Sequence, residues 1–349
     1  MNFNRKITIG DKDISDTSPV FIIAEAGVNH GGDMNVARRL IDLAVEAKVD
    51  AVKFQTFKAA KLILPTVGKA PYQQLTTDKS ESQHDMLKKL EVSQEQNLEL
   101  KKYCQSKEIL FLTTPFDEDS LNELDLLDLP AIKISSTDVT NLPFLKKVAK
   151  KSVPIILSCG MTYLEEVEIA LHEIHAHNKD VILLQCTANY PIADNEANLA
   201  VIRTLQKKFD ILVGYSDHSS GVGAAPYAVP MGAKVLEKHF TLDNNMEGPD
   251  HKASLSPAEL IQFVKDVRRV ESYMGTSLRM PSISELNTRV SLQKSLVSST
   301  VIKRGELFSE KNIIAMRTGG VGISPIYYRQ VLGKKASKDY LLNEVIDLK

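Results

Sequence analysis

The chain has 349 residues, 43% of them hydrophobic and 25% charged, with a formal net charge of −1. That length supports one large α/β domain plus a small one, and the balanced charge argues against a nucleic-acid platform. No apolar run approaches the ~20 residues that span a bilayer, the N-terminus is polar without a signal-peptide core, and Cys104, Cys159 and Cys186 are odd in number without CxxC spacing, so a cytoplasmic protein with reduced thiols is expected.

In chain order, residues 1–16 with their Gly10-Asp11 turn read as a hairpin closing the bottom of the fold. Eight short apolar runs follow, at 21–26, 51–56, 109–115, 131–136, 154–159, 181–187, 211–215 and 234–240, and amphipathic stretches separate them. In the first stretch, Val36, Leu40, Leu43, Ala44 and Ala47 fall on one helical face behind an N-cap at Asp33. Near-continuous β-rich runs alternating with helices imply a parallel sheet covered on its outer face. Eight units predict an α/β fold of the (β/α)8 TIM-barrel type over residues 1–276, with a doubly wound open sheet as the alternative. Residues 277–288 lack apolar periodicity and read as a linker. Residues 289–349 return to short β-like pieces, punctuated by Arg304-Gly305-Glu306 and Thr318-Gly319-Gly320, and read as a small C-terminal domain.

Active sites of such barrels lie at the C-terminal strand ends, where the polar residues of this chain gather. Ser216-Asp217-His218 and Glu237-Lys238-His239 end neighbouring runs, so His218 and His239 point into one mouth and predict a divalent-metal site. Lys53 and Gln55 share a face of the second run, and Lys133 sits in the fourth near Ser135, Ser136 and Asp138. Two inward lysines among hydroxyls suit a phosphorylated, carboxylated substrate. Their bland alternative is a buried ion pair with Glu25 or Glu237. Glu237 faces inward below His239 and is expected to be a supporting ion-pair partner, whereas Glu25 divides evenly between that role and catalysis. His172, His175 and His177 are expected on a solvated helix face, and Asn29-His30-Gly31-Gly32 is at most a weak anion-binding helix start.

Together, Ile23-Ala24-Glu25-Ala26-Gly27-Val28-Asn29-His30, Val52-Lys53-Phe54-Gln55-Thr56, Lys69-Ala70-Pro71-Tyr72-Gln73 with Glu81-Ser82-Gln83, Ser216-Asp217-His218, Glu237-Lys238-His239-Phe240-Thr241 and Gly248-Pro249-Asp250-His251 resemble the bacterial sialic acid synthase family. The resemblance runs the length of the chain. Its tail, from Gln293-Lys294-Ser295-Leu296-Val297 to Val331-Leu332-Gly333-Lys334, resembles the antifreeze-like (SAF, β-clip) domain of that family.

The resemblance implies condensation of phosphoenolpyruvate with an open-chain N-acetylhexosamine, N-acetylmannosamine, to give a nine-carbon 2-keto sugar acid, N-acetylneuraminate, and phosphate. It implies Mn2+ or Mg2+ on His218 and His239. Phosphoenolpyruvate would lie against Lys53, Thr114, Lys133, Ser136, Ser158 and Ser216, and the sugar against Gln55, Tyr190 and Asp250. Glu25 would position or deprotonate the attacking water. A homodimer with swapped C-terminal domains would bring Arg317 of one protomer to the sugar's N-acetyl group in its partner's barrel.

Three departures bear on the sugar. Thr137-Asp138 stands where many members have Gly-Glu, which shortens the acid that would meet a sugar hydroxyl. Asn189 follows Thr187 with Ala188 between them, where some members place the asparagine directly after the threonine. The stretch from Arg317 to Pro325 is one residue longer than the common arginine-proline-glycine form. A sister reading is legionaminic acid synthesis from 2,4-diacetamido-2,4,6-trideoxymannose. A metal-dependent aldolase or isomerase would leave the serine-lysine cradle without a role, and passive ice or carbohydrate binding would need none of Glu25, Lys53, Lys133, His218 and His239.

Overall fold

Side-chain alternation along eight parallel strands builds the larger part of the molecule. A computed structural model describes residues 1–78 and 80–348, with backbone alone for Pro71, Tyr72 and Leu75; Lys79 and Lys349, the latter the last residue of the expected C-terminal domain, lie outside the described residues. The strands are β1 (Lys6–Ile9), β2 (Lys12–Ser15), β3 (Phe21–Gly27), β4 (Ala51–Thr56), β5 (Leu110–Pro115), β6 (Ile132–Ile134), β7 (Ile155–Ser158), β8 (Val181–Cys186), β9 (Leu212–Asp217), β10 (Val235–His239), β11 (Lys294–Ser298) and β12 (Ile313–Arg317). β3 to β10 form one sheet in the order β5-β4-β3-β10-β9-β8-β7-β6, and β6 comes back beside β5 to make a nearly closed TIM barrel.

Outward residues such as Ile22, Ala24, Leu183 and Leu236 pack against the helices. Inward residues Phe21, Ile23, Leu112, Ile156, Leu184 and Leu212 fill the lower barrel, where Ile7, Ile9 and Ile14 of the β1–β2 hairpin join them. The barrel floor is therefore apolar and sealed. Gly214 on β9 is required by that packing, because a Cβ there would lie 2.3 Å from the Val235 carbonyl oxygen and 2.6 Å from Leu184 Cδ2. Helix Met34–Ala47 starts where the sequence predicts: the Asp33 carboxylate accepts from the Asn35 N–H at 2.7 Å.

The chain divides into two compact units, residues 1–275 and 276–349. In the second, β11 and β12 pair antiparallel over a core that includes Leu296, Ile302, Phe308, Ile313 and Tyr340. Helix Ile283–Leu292 occupies much of the stretch read as a linker. Ser282 and Glu285 cap its start reciprocally, which is the sequence signal that was passed over. Its apolar residues Ile283, Leu286 and Val290 are all exposed within that unit. Among the described residues, no helix is long and apolar enough to cross a membrane.

Candidate active site

Above the apolar floor, the next inward layer is charged. Glu25 lies on β3, Lys53 on β4, Lys133 on β6 and Glu237 on β10, and all four side chains are buried. Four ionisable groups out of water are tolerable only as partners. Lys53 Nζ lies 2.5 Å from Glu25 Oε2, and Glu237 Oε1 stands 3.7 Å from both Lys53 and Lys133. Hydroxyls complete the set. Lys53 donates to Thr114 Oγ1 at 3.1 Å, Lys133 to Ser158 Oγ at 2.7 Å, and Ser216 to Glu237 Oε1 at 3.2 Å. The ion-pair alternative for Lys53 and Glu25 is thus present. It does not exclude anion binding, because a phosphate or carboxylate can take over the same ammonium groups.

Burial pushes the Glu25 carboxyl up to about 7: the nearby Lys53 charge opposes the rise and Glu237 adds to it. Burial likewise raises Asp250 to about 6, against the attraction of His218 and Lys53. Burial lowers the Lys133 ammonium below its ordinary value, with Glu237 opposing. Carboxyls set near neutrality are suited to moving protons.

His218 and His239 face each other across β9 and β10, 5.6 Å between ring centroids, with the Tyr190 ring 4.0 Å from His218. His218 Nδ1 bonds the Thr187 carbonyl oxygen at 2.7 Å, which leaves Nε2 as the free lone pair. Burial, followed by the His218, Lys53, Lys238 and Lys133 charges, keeps the His239 ring neutral by lowering its pKa well below the usual value. Its buried Nδ1 has no hydrogen-bond partner among the described residues. Two imidazoles, His218 oriented by a carbonyl and His239 carrying an orphaned nitrogen, fit a divalent cation once His218 gives up its proton; burial favours that loss, while the neighbouring Cys186 holds the His218 pKa above its ordinary value. No cluster of three or more His, Cys, Asp or Glu suited to a metal occurs among the described residues, so further ligands must be water or substrate oxygens.

These groups line one cavity of about 690 Å³, which takes in Glu25, Lys53, Gln55, Thr114, Lys133, Ser136, Asp138, Ser158, Tyr190, Ser216, His218, His239 and Asp250. Such a volume suits two small substrates. Gln55 donates to Glu25 Oε1 at 3.1 Å, Ser136 Oγ accepts from the Gly160 N–H at 2.8 Å, and Asp138 accepts from Asn141 Nδ2 at 3.0 Å. Arg317 ends β12 in the second unit and is exposed there. Glu237 holds the supporting ion-pair place expected of it. Asn29 is turned inward, donating to the Phe240 carbonyl and Ser254 Oγ, and His30 is buried, so that turn serves as scaffold. His175 is more than a solvated residue: it bonds the Asn2 backbone and meets the Phe3 ring edge-on.

Two groups of lining residues were not foreseen. Cys186 points in beside His218, with Sγ 3.8 Å from Nδ1, and the alternation from Ile182 and Leu184 would have placed it there. Phe57, Leu62, Gln73, Gln83, Leu87 and Phe116 also line the cavity, mostly from the long connection after β4, whose signals were its length and the family motifs that contain Gln73 and Gln83.

The sequence profile of the NeuB family matches residues 40–279, more than half of the chain. The chain belongs to the NeuB family. This NeuB-family protein is 46% identical over 328 residues to N,N'-diacetyllegionaminic acid synthase of Campylobacter jejuni, covering 93% of this chain and 98% of that one. It is 40% identical over 342 residues to the protein of the same name from Legionella pneumophila, covering 97% and 96%. The crystal structure of N-acetylneuraminic acid synthetase from Leptospira borgpetersenii, in complex with citrate, superposes with a TM-score of 0.73 at 36% identity over 83% of this chain and 98% of that chain. The NeuB-family chain is an enzyme of the sialic-acid-synthase type, and the passive-binding reading falls.

Proposed function

We propose that this enzyme condenses phosphoenolpyruvate with the open-chain aldehyde of an N-acetylated amino sugar and water, releasing phosphate and a nine-carbon 2-keto sugar acid. The observation that carries the reaction is the buried lysine-hydroxyl cradle beside the facing His218 and His239 imidazoles in one cavity. N-Acetylmannosamine is the sugar first expected from the family resemblance. The names of the two relatives above favour 2,4-diacetamido-2,4,6-trideoxymannose, and with it a legionaminic acid product.

Lys53 and Lys133, with Thr114, Ser136, Ser158 and Ser216, bind the phosphate and carboxylate of phosphoenolpyruvate. Gln55, Asp138 and Tyr190 bind the sugar. His218 and His239 would hold Mn2+ or Mg2+, a Lewis acid that polarises an aldehyde oxygen. C3 of phosphoenolpyruvate forms the new bond to the aldehyde carbon, and the aldehyde oxygen takes a proton from Asp250. Glu25 removes a proton from the water that adds to C2. The tetrahedral C2 then expels phosphate with its C–O bond, leaving the ketone. Lys53 and Lys133 offset the charge on the departing phosphate.

We read the second unit as the SAF domain of a swapped homodimer, in which Arg317 reaches the N-acetyl group of the sugar in the partner's barrel. Phosphate release with Mn2+, comparing the two sugars, tests the reaction. Faster turnover of the diacetamido sugar supports the legionaminic assignment, faster turnover of N-acetylmannosamine makes this a sialic acid synthase, and release with neither overturns the condensation.

A further inference from the structure

The cavity changes character on the side of β4 and β5. The alternation that turns Lys53 and Gln55 inward on β4 puts Phe57 next, toward the mouth, and the same step on β5 leads from Thr114 to Phe116. The Phe116 N–H donates to the Thr56 carbonyl at 3.1 Å, which carries the ladder past the strand end, and the two rings meet edge to face with centroids 6.3 Å apart. Leu62 and Leu87 pack into the same cluster. Together these side chains make a continuous apolar wall on a cavity whose floor carries Glu25, Lys53, Lys133 and Glu237.

Two glutamines, Gln73 and Gln83, are set beside that wall. Gln83 opens helix Gln83–Lys88, four residues before Leu87 and therefore on the same helical face, and both line the cavity. Its amide donates one hydrogen to Gln73 Oε1 at 2.9 Å, and its second hydrogen has no acceptor among the described residues. The helix is held in place rather than loosely appended. Buried Lys69 ties the connection together through Thr77 Oγ1 at 2.9 Å, the Asp78 carbonyl at 2.5 Å and Glu81 at 3.1 Å. Thr76 donates to the Pro249 carbonyl at 3.3 Å, which links the connection to the loop bearing Asp250.

β4 lies two and three strands, and β5 three and four, around the ring from β10 and β9, so the wall stands apart from the imidazoles on another side of the mouth. A sugar with its aldehyde at His218 and His239 presents its far end to this wall. Of two hydroxyls at C4 and C6, one could meet the Gln83 amide, and the other would lose water against the phenyl and leucine side chains without gaining a partner. A 4-acetamido-6-deoxy end instead offers two methyl groups to the phenyl and leucine side chains and a carbonyl oxygen to the Gln83 amide. Resting on the condensation proposed above, we infer that Gln83, with Phe57, Leu62, Leu87 and Phe116, forms a subsite that selects a 4-acetamido-6-deoxy hexose over its hydroxylated counterpart.

The test is the ratio of kcat/KM for 2,4-diacetamido-2,4,6-trideoxymannose to that for N-acetylmannosamine, measured on the full-length enzyme and on Gln83→Met and Leu87→Gln. The expected wild-type ratio is about 10–100, the discrimination an apolar pocket can supply. Each substitution should cut it by about tenfold, through a loss that falls chiefly on the diacetamido sugar. A ratio unchanged in both variants, or equal losses on both sugars, overturns the subsite. A wild-type enzyme that turns over both sugars without preference overturns the subsite but leaves the condensation standing. No phosphate release with either sugar overturns the condensation, and the subsite with it.

Discussion

Lys238→Met probes how the two imidazoles come to face one another. Asp217 on β9 and Lys238 on β10 are register partners, each next to a histidine in sequence. Alternation turns them away from the cavity, into the shell between strands and helices. Lys238 Nζ lies 2.8 Å from Asp217 Oδ2 and 2.7 Å from the Ser219 carbonyl, and the two side chains are 1% and 0% exposed. Water therefore cannot solvate either charge once the other is removed. Methionine keeps most of the stem and strips the ammonium, so Asp217 retains only the donors Ser219 N–H, Ser219 Oγ and Ala225 N–H, at 2.9, 2.6 and 3.0 Å. Breaking a buried pair from one side costs about 3–5 kcal/mol, and three remaining donors favour the lower end. At about 2–4 °C per kcal/mol, the melting temperature should fall by about 6–12 °C. The double variant Asp217→Asn/Lys238→Met leaves no unpaired charge and should recover much of that loss. Mn2+ affinity, read by calorimetry well below the melting point, should weaken about tenfold or more in the single variant, because the pair holds the strand ends that carry both imidazoles. A melting temperature within about 2 °C of wild type together with unchanged Mn2+ affinity would refute the reasoning.

Three further outcomes are expected. Glu25→Gln should lower kcat by about 10²–10⁴-fold while the phosphoenolpyruvate KM moves only a few-fold; a parallel rise in KM would make Glu25 a binding partner of Lys53 and nothing more. Burial, then the neighbouring His251 charge, lowers the His30 pKa to about 4. The unfolded chain therefore binds more protons than the fold between about 4 and 6.5, so stability present in full above pH 6.5 drains away as pH falls through that window. At pH 5 the loss due to His30 is about 2 kcal/mol, and His30→Asn, whose Oδ1 can still accept from the Gly32 N–H, should remove it from urea unfolding curves; identical acid sensitivity in the variant would contradict this. Arg317→Ala should raise the amino-sugar KM about tenfold or more, as expected for a lost charged hydrogen bond. A change confined to the phosphoenolpyruvate KM would place Arg317 elsewhere.

What the sequence revealed follows from period-two alternation. The run 181–187 is apolar on both faces up to Leu184, and 234–240 is apolar at Val235 and Leu236 before Glu237, so the first inward polar group marks the mouth, and Lys53, Glu237 and His239 were legible as inward on that rule alone. The same rule applied to Asp217 and Lys238 points them outward, but their pairing needed the register of β9 against β10, which no single strand carries. Gln83 was legible only as part of a family motif, and Leu87 not at all, for a different reason. They reach the cavity from a connection whose shape depends on Lys69 meeting Thr77, Asp78 and Glu81, and such contacts leave no periodic trace. Helix Ile283–Leu292 escaped because Pro281 and three serines masked a capping box, Ser282 to Glu285, ahead of the spaced apolar residues Ile283, Leu286 and Val290.

The most direct test of the central claim uses phosphoenolpyruvate carrying ¹⁸O in the oxygen that bridges C2 and phosphorus, turned over with Mn2+ and 2,4-diacetamido-2,4,6-trideoxymannose. Water attack at C2 with loss of the C–O bond predicts that the released phosphate retains the label, one ¹⁸O per phosphate, and that no phosphate forms when the sugar is omitted. Unlabelled phosphate, or release independent of the sugar, would contradict the proposed condensation.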